Sequence, residues 1–418
     1  MTAVHRAGRW LAAGGLTVLA CTTAVSVPSV PIRSEAGPDI SFDGRTAADG
    51  ECQEGVTRWV TTRAPALDRL AADQVWGQAA GDGVVVAVVD GGVSAANAHF
   101  PPGTVLEGKS FVEGPATADS TAHGTAIAGQ IAARSIGSQS AVVGLAKEAI
   151  ILPVKITDGR DQDNERITRL ADGIRWAADN GARVMNLSLS TPSDIPAIRE
   201  ATAYAVAKDI VVVASAGNRS TASETSDGMR YPAGYPGVIG VAAADASDVV
   251  TEDSIHGPQV SLTAPGHTIV STFRDWGDCV FGANGESTSF ATAYVSAAAA
   301  VLRSRFPEAS AAEITHRLEV TAARAKRTER DDVAGWGMVQ PFEAMTLIYD
   351  SSVGGPAAPG QSAAPRATPA PESLDLSAVP DPGAADRAAT LWLVMISGAL
   401  VLGLAMVRMI RQRRDTEP

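Results

Sequence analysis

The chain is 418 residues long, with 45% hydrophobic and 19% charged residues, so most of it can bury a core rather than stay disordered. Lys plus Arg number 34 against 46 for Asp plus Glu, a net charge of −12, which argues against a nucleic-acid partner because phosphate neutralisation needs a basic surface. Three cysteines exclude a disulfide-built miniature fold and a zinc ribbon. What remains is one large domain with an appendage at each end.

The first residues carry His5, Arg6 and Arg9 ahead of an apolar run from Trp10 to Ala20, the pattern of a signal peptide over residues 1–26. Small residues at Ala24 and Ser26 suit ordinary cleavage. Val18-Leu19-Ala20-Cys21 also fits a lipoprotein box, which would leave Cys21 as a lipid-bearing N-terminus. Residues 27–66 form an extension before the body, which is expected over 67–350.

Within the body, Val84–Asp90 is a β-branched run without alternation, the mark of a strand buried on both faces. An Ala- and Ile-rich helical pattern opens at His123 and runs to Ala133. Ile150–Ile156 repeats the strand pattern. Ile167, Leu170, Ala171, Ile174 and Ala178 recur at helical spacing between Glu165 and Asn180, where Asn180-Gly181 stops the helix. Strand Val184–Leu189, helix Ile195–Lys208, strand Ile210–Ala214 and strand Gly237–Ala243 follow. An Ala-rich helix begins at Ser289 and continues towards Phe306. Such alternation predicts an α/β fold, a mainly parallel sheet covered by helices on both faces, with ligand sites at the carboxyl ends of the strands.

Residues 351–387 are rich in Pro, Ala, Gly and Ser (Pro356, Pro359, Pro365, Pro369, Pro371) and read as an extended spacer. A nearly unbroken apolar stretch, Leu391–Val407, extends upstream to Ala388. Its length is close to the roughly 20 residues a membrane helix needs, which places a transmembrane helix over 388–408. Arg408, Arg411, Arg413 and Arg414 follow, whereas Asp381, Asp386 and only Arg387 precede it. The positive-inside rule therefore puts the tail, 409–418, in the cytoplasm and the body outside the cell membrane.

Three positions carry candidate chemistry. Asp90 closes a strand ahead of Gly91-Gly92, where an Asp is ordinarily a turn residue or helix cap. His123, in Ala122-His123-Gly124-Thr125-Ala126, would alone be a structural helix-start residue, and Ser289, in Ser287-Thr288-Ser289-Phe290-Ala291, a helix-capping serine. Together they have a chemical logic. A serine is a poor nucleophile until a histidine removes its proton, and that histidine needs a carboxylate to hold its tautomer. Asn218, in Ser215-Ala216-Gly217-Asn218, adds a side-chain amide able to stabilise an oxyanion, with the Ser289 N–H as second donor.

Asp90 in AVVDGGV, His123 in HGTAIAG, Asn218 in SAGN and Ser289 in TSFATAYVSA together resemble the subtilisin-like serine proteases, over about Leu67 to Ala344. The segments Pro153-Val154-Lys155, Tyr231-Pro232-Ala233 and Ala264-Pro265-Gly266 agree. The resemblance implies a three-layer subtilisin-like fold and a peptide-bond hydrolase with Asp90, His123 and Ser289 as triad and Asn218 as oxyanion donor. It implies that Ser188, Leu189 and Ser190 pair with the substrate backbone, walling the specificity pocket together with Ser215, Ala216 and Gly217. No cofactor is implied.

The nearest likeness within that family is to the mycosins, membrane-anchored proteases of type VII secretion systems. The short extension, the proline-rich spacer before one membrane helix, and Tyr294 and Ser296 in TSFATAYVS carry it. The implied partners are a protein or peptide substrate, the type VII secretion membrane complex and the membrane itself. Three departures stand out: Ser287 where the family usually has Gly, Ala293 where it has Pro, and Gly91 where it has Thr or Ser. They leave two function classes open, a narrow-specificity endopeptidase serving secretion and a scaffold stabilising the secretion channel with weak or no proteolysis.

Cys52 and Cys279 are the thiols left after export. An oxidising compartment favours a disulfide that staples the extension to the body, against the alternative of two free cysteines. Asp158, Asp161 and Asp163 lack the spacing of a calcium loop and read as a solvated loop, so no metal is expected.

Overall fold

The computed structural model describes residues 41–42, 52–160, 163–222, 225–282, 285–348, 354–359 and 384–414. The signal-peptide segment with Cys21, most of the spacer and the last four residues lie outside these. The strands are β1 (Ser41–Phe42), β2 (Val85–Asp90), β3 (Lys109–Ser110), β4 (Ile150–Lys155), β5 (Val184–Leu187), β6 (Leu189–Ser190), β7 (Val211–Ser215), β8 (Val238–Ala244), β9 (Leu262–Pro265), β10 (Ile269–Thr272) and β11 (Asp278–Phe281). The helices are α1 (Pro65–Arg69), α2 (Ala72–Trp76), α3 (His123–Ala132), α4 (Asp163–Asp179), α5 (Pro196–Ala207), α6 (Thr288–Arg305), α7 (Ala311–Thr321), α8 (Pro341–Thr346) and α9 (Ala384–Arg414).

Seven strands make a parallel sheet in the order β3-β4-β2-β5-β7-β8-β9. The chain runs outward from β2 through β4, then returns across it to β5, so the strand order reverses beside β2. A crevice opens at the carboxyl ends of strands at such a reversal, and Asp90 is the last residue of β2. The lack of alternation in β2 has a direct cause. Val86 and Val88 join the core that contains α3 and α6, whereas Ala87 and Val89 join the core of α4 and α5 on the opposite face. Each fully buried valine contributes about 1.5–3 kcal/mol of transfer free energy. Helix α6 runs through the first of these cores, buried from Thr288 to Arg303, which explains its apolar character all round.

The predicted strands and helices of the sheet lie within a residue or two of their expected bounds, with one correction. The expected strand Val184–Leu189 is two elements. β5 ends at Leu187, Ser188 leaves the ladder, and β6 pairs antiparallel with β1, Ser41 opposite Ser190 and Phe42 opposite Leu189. A run of apolar and β-prone residues does not announce where a chain changes partners.

The extension is sewn onto the β10–β11 hairpin. Cys52 and Cys279 form a disulfide with Cα atoms 5.7 Å apart, within the normal span, so the free-thiol alternative falls. Arg58 donates its N–H to the Trp276 carbonyl at 3.2 Å and accepts that of Asp278 at 2.9 Å. The Asp278 carboxylate receives the Val60 N–H at 2.9 Å, the Ser140 hydroxyl at 2.5 Å and His99 Nε2 at 2.9 Å. Arg274 bonds Glu54 and also the Ser120 carbonyl, three residues before His123. Removing the bridge by Cys52→Ala with Cys279→Ala should therefore cost about 2–5 kcal/mol in chemical denaturation. Two alkylatable thiols in the unreduced protein would contradict the bridge.

Helix α9 belongs to a separate unit, residues 362–418. Its segment Ala389–Met409, 21 residues with mean hydropathy 2.2, is long and apolar enough to cross a membrane, and it overlaps the expected span 388–408. Among the described residues, no group of three or more His, Cys, Asp or Glu side chains gathers as for a metal ion. Asp158 bonds the N–H and the guanidinium of Arg160, while Asp161 lies outside the described residues.

Candidate active site

Asp90 emerges from β2 at the reversal of the sheet with both oxygens engaged. Oδ1 accepts the Gly91 N–H at 2.7 Å, and Oδ2 is 2.7 Å from His123 Nδ1. The pair is buried, with side chains 1% and 5% exposed, so the interaction is sheltered from water and salt. Such closeness requires Gly124, because a Cβ there would stand 2.1 Å from the Gly92 carbonyl oxygen and 3.1 Å from Asp90 Cβ.

His123 is the first residue of α3, and Asp119 holds that helix start. Asp119 Oδ1 accepts the N–H groups of Thr121 (2.8 Å) and Ala122 (3.0 Å), and Oδ2 accepts the Thr125 N–H (2.8 Å) and hydroxyl (2.7 Å). Burial, and then the charge of Asp90, push the Asp119 carboxyl above its ordinary value, against the lowering effect of the Thr125 and Thr121 bonds. On its far side α3 is pinned by β10, Ser271 and Thr272 donating to the carbonyls of Ala126 and Thr125 at 2.6 and 2.7 Å.

Ser289 is the second residue of α6, not its cap; the capping position is Ser287. The positive end of the helix dipole thus faces the Ser289 N–H. The Ser289 hydroxyl donates to the Ser188 carbonyl at 3.2 Å, and Ser289 is fully buried. A hydrogen-bonded chain secures this region from below. Ser296 donates to Asn186 Oδ1 (3.0 Å), Asn186 Nδ2 to the Ser188 hydroxyl (2.8 Å), and that hydroxyl to the Ser289 carbonyl (3.0 Å). Tyr294, on the same helix, is buried and its phenol pushed up to about 12 by desolvation, against a bond with Gln130.

Asn218 meets the start of α6 side-on. Its Oδ1 accepts both the N–H and the hydroxyl of Thr288, each at 2.9 Å, and its Nδ2 donates to Ser287 Oγ at 3.3 Å. Ser215 Oγ is 2.6 Å from Thr288 Oγ1 and accepts the Gly217 N–H at 3.1 Å. Two donors on Oδ1 leave only one orientation for the carboxamide, with Nδ2 on the side of Ser287. Gly217, at φ +102°, brings the segment Ser215-Ala216-Gly217 close to β6, since a Cβ on it would lie 3.0 Å from Ser190 Oγ. The two expected walls, Ser188–Ser190 and Ser215–Gly217, are neighbours.

Neither Asp119 nor Thr288 stands out in the sequence as a contributor to this site. An Asp shortly before a helical run is a helix-start signal, and it was available at Asp119. Nothing local marks Thr288, whose partner Asn218 is 70 residues away.

Residues 81–337 match the Subtilase family, Peptidase S8. Subtilisin BL of Lederbergia lenta is 35% identical over 262 residues, 62% of this chain and 89% of that protein. Among solved structures, the MycP3 protease from the type VII (ESX-3) secretion system is 29% identical with a TM-score of 0.62, over 71% of this chain and 94% of its own. The periplasmic assembly from the ESX-5 inner membrane complex contains a chain 28% identical with a TM-score of 0.64, over 79% of this chain and 94% of that one.

Proposed function

The chain belongs to the subtilase family of serine peptidases, with mycosins among its structural neighbours, and from that premise we propose that it is a membrane-anchored, extracytoplasmic endopeptidase processing substrates of a type VII secretion system. The observation that carries the catalytic part is the buried 2.7 Å bond between Asp90 and His123 at the reversal of the sheet. Asp90 holds the Nδ1–H tautomer, so that Nε2 is the base. The Ser289 hydroxyl leaves the Ser188 carbonyl, gives its proton to His123 Nε2 and attacks the scissile carbonyl carbon; such hydrogen bonds tighten only when substrate binds. The Asn218 amide and the Ser289 N–H receive the oxyanion. His123 then protonates the leaving amine, and water repeats the sequence on the acyl-enzyme.

Substrate adds a strand to β6 between the walls Ser188–Ser190 and Ser215–Gly217. The antiparallel pairing of the chain's own Ser41–Phe42 with β6 supports this mode. The peptidase domain covers 67–350, after a signal peptide (1–26) and an extension (27–66). A spacer (351–387) leads to the membrane helix (388–408) and a cytoplasmic tail (409–418), an orientation supported by the arginines that follow Val407. The test is labelling of the full chain with a fluorophosphonate. A phosphonyl adduct mapped to Ser289 is expected, and an unlabelled protein, or an adduct elsewhere, overturns the reading.

A scaffold within the secretion complex is the second reading, supported by the likeness to a chain of an inner membrane assembly. Secretion that persists with Ser289→Ala, while hydrolysis is lost, would favour it. If the oxyanion role holds, Asn218→Ala lowers turnover about 100- to 1,000-fold with the Michaelis constant nearly unchanged, because the amide acts on charge that develops only in the transition state. A change confined to the Michaelis constant would make Asn218 a substrate-binding residue instead.

A further inference from the structure

Ser287 stands at the start of α6, and its hydroxyl lies against the side-chain amide of Asn218. Its backbone is fixed from both sides: the N–H donates to the Gly266 carbonyl at 3.0 Å, and the carbonyl accepts the Ala291 N–H at 3.3 Å. It is the capping residue of α6, in extended conformation, yet its side chain does not cap the helix. Instead Ser287 Oγ accepts an N–H of Asn218 at 3.3 Å. Thr288 engages Oδ1 twice, which makes Nδ2 the atom that faces Ser287. Both side chains are buried, Ser287 at 0% and Asn218 at 1% exposure, so water does not compete for the contact.

We propose that the Ser287 hydroxyl is a positioning residue that restrains the oxyanion donor: in the resting enzyme it accepts one of the two N–H groups of the Asn218 amide, and turning that amide towards the developing oxyanion strains or breaks this bond. The inference rests on the catalytic reading above. A contact at the long end of the hydrogen-bond range is weak enough to be surrendered, but surrendering it costs the transition state and not the bound ground state, whose neutral carbonyl makes little demand on the amide. The consequence is a slower chemical step at unchanged affinity.

Inactivation by a fluorophosphonate reads this step without a known substrate. Ser289 Oγ forms a bond to phosphorus, the P–F bond breaks, fluoride departs, and the serine proton passes to His123, while the phosphoryl oxygen takes the oxyanion position. On the full chain, Ser287→Ala should raise the maximal inactivation rate about 3- to 10-fold, the worth of one weak hydrogen bond. The half-saturating probe concentration should not move, and Ser287→Gly should match Ser287→Ala. In an Asn218→Ala background, Ser287→Ala should change nothing. A slower or unchanged Ser287→Ala enzyme, a gain seen with Gly alone, or a gain that survives Asn218→Ala would each overturn the proposal. Failure of the unsubstituted protein to label at Ser289 would instead overturn the catalytic reading, and this inference with it.

Discussion

Replacing Ser289 by alanine is expected to lower peptide hydrolysis by about 10⁶-fold while leaving the fold in place, since removal of a triad nucleophile costs about that much in turnover. The loss is large because the neighbouring hydroxyls at the start of α6 are engaged by Asn218, Thr288 Oγ1 by its Oδ1 and Ser287 Oγ by its Nδ2, and neither stands in for Ser289. The structural cost is small because, among the described residues, the Ser289 hydroxyl is held by the Ser188 carbonyl at 3.2 Å, a bond worth about 1 kcal/mol. In a domain of this size that is a shift of about 2–4 °C in Tm. Peptide cleavage and thermal unfolding measured on the same preparation decide the matter. Retained cleavage would locate the nucleophile elsewhere. A collapsed Tm would make Ser289 a packing residue.

Asp90→Asn is expected to lower turnover by about 10⁴-fold, for a different reason. Asp90 accepts two N–H groups, from Gly91 through Oδ1 and from His123 through Oδ2, each at 2.7 Å. An asparagine can satisfy Gly91 only by turning its NH₂ towards His123. Nδ1 must then accept, Nε2 carries the proton, and the base for Ser289 is lost. Stability should hold or rise at neutral pH. The Asp90 charge is the second cause, after burial, of the raised Asp119 carboxyl. A carboxyl raised in the folded state contributes stability below its unfolded value of about 3.9, and that stability is lost as pH rises through the folded value. Removing the Asp90 charge brings Asp119 closer to its ordinary value and reduces this loss. Unfolding followed from pH 4 to 8, beside the rate of peptide cleavage, checks both halves. A rate reduced less than tenfold would remove Asp90 from the mechanism.

The sequence by itself determined the elements whose signals are short-range. Val84–Asp90 reads as a strand because β-branched residues without alternation suit burial on both faces. Helix α4 reads from the recurrence of Ile167, Leu170, Ala171, Ile174 and Ala178, and α9 from apolar length alone. As candidates, Asp90, His123, Asn218 and Ser289 could be singled out because each sits in a compact local pattern at a strand end or a helix start; the structure joins Asp90 to His123 and Asn218 to Thr288, beside Ser289. Tertiary structure alone decided what lies between them. That Ser287 stands at the N-cap position of α6 without capping it, its hydroxyl instead on Asn218, depends on a contact across 69 residues. The break at Ser188 follows from β6 finding a partner in Ser41–Phe42. The burial of His99 against Asp278 joins residues 179 apart, and Arg274 spans the 154 back to Ser120. Helical and strand periodicity reports only which face of an element is apolar; which side chain meets which across the core is set by how the layers pack, and no local pattern encodes that.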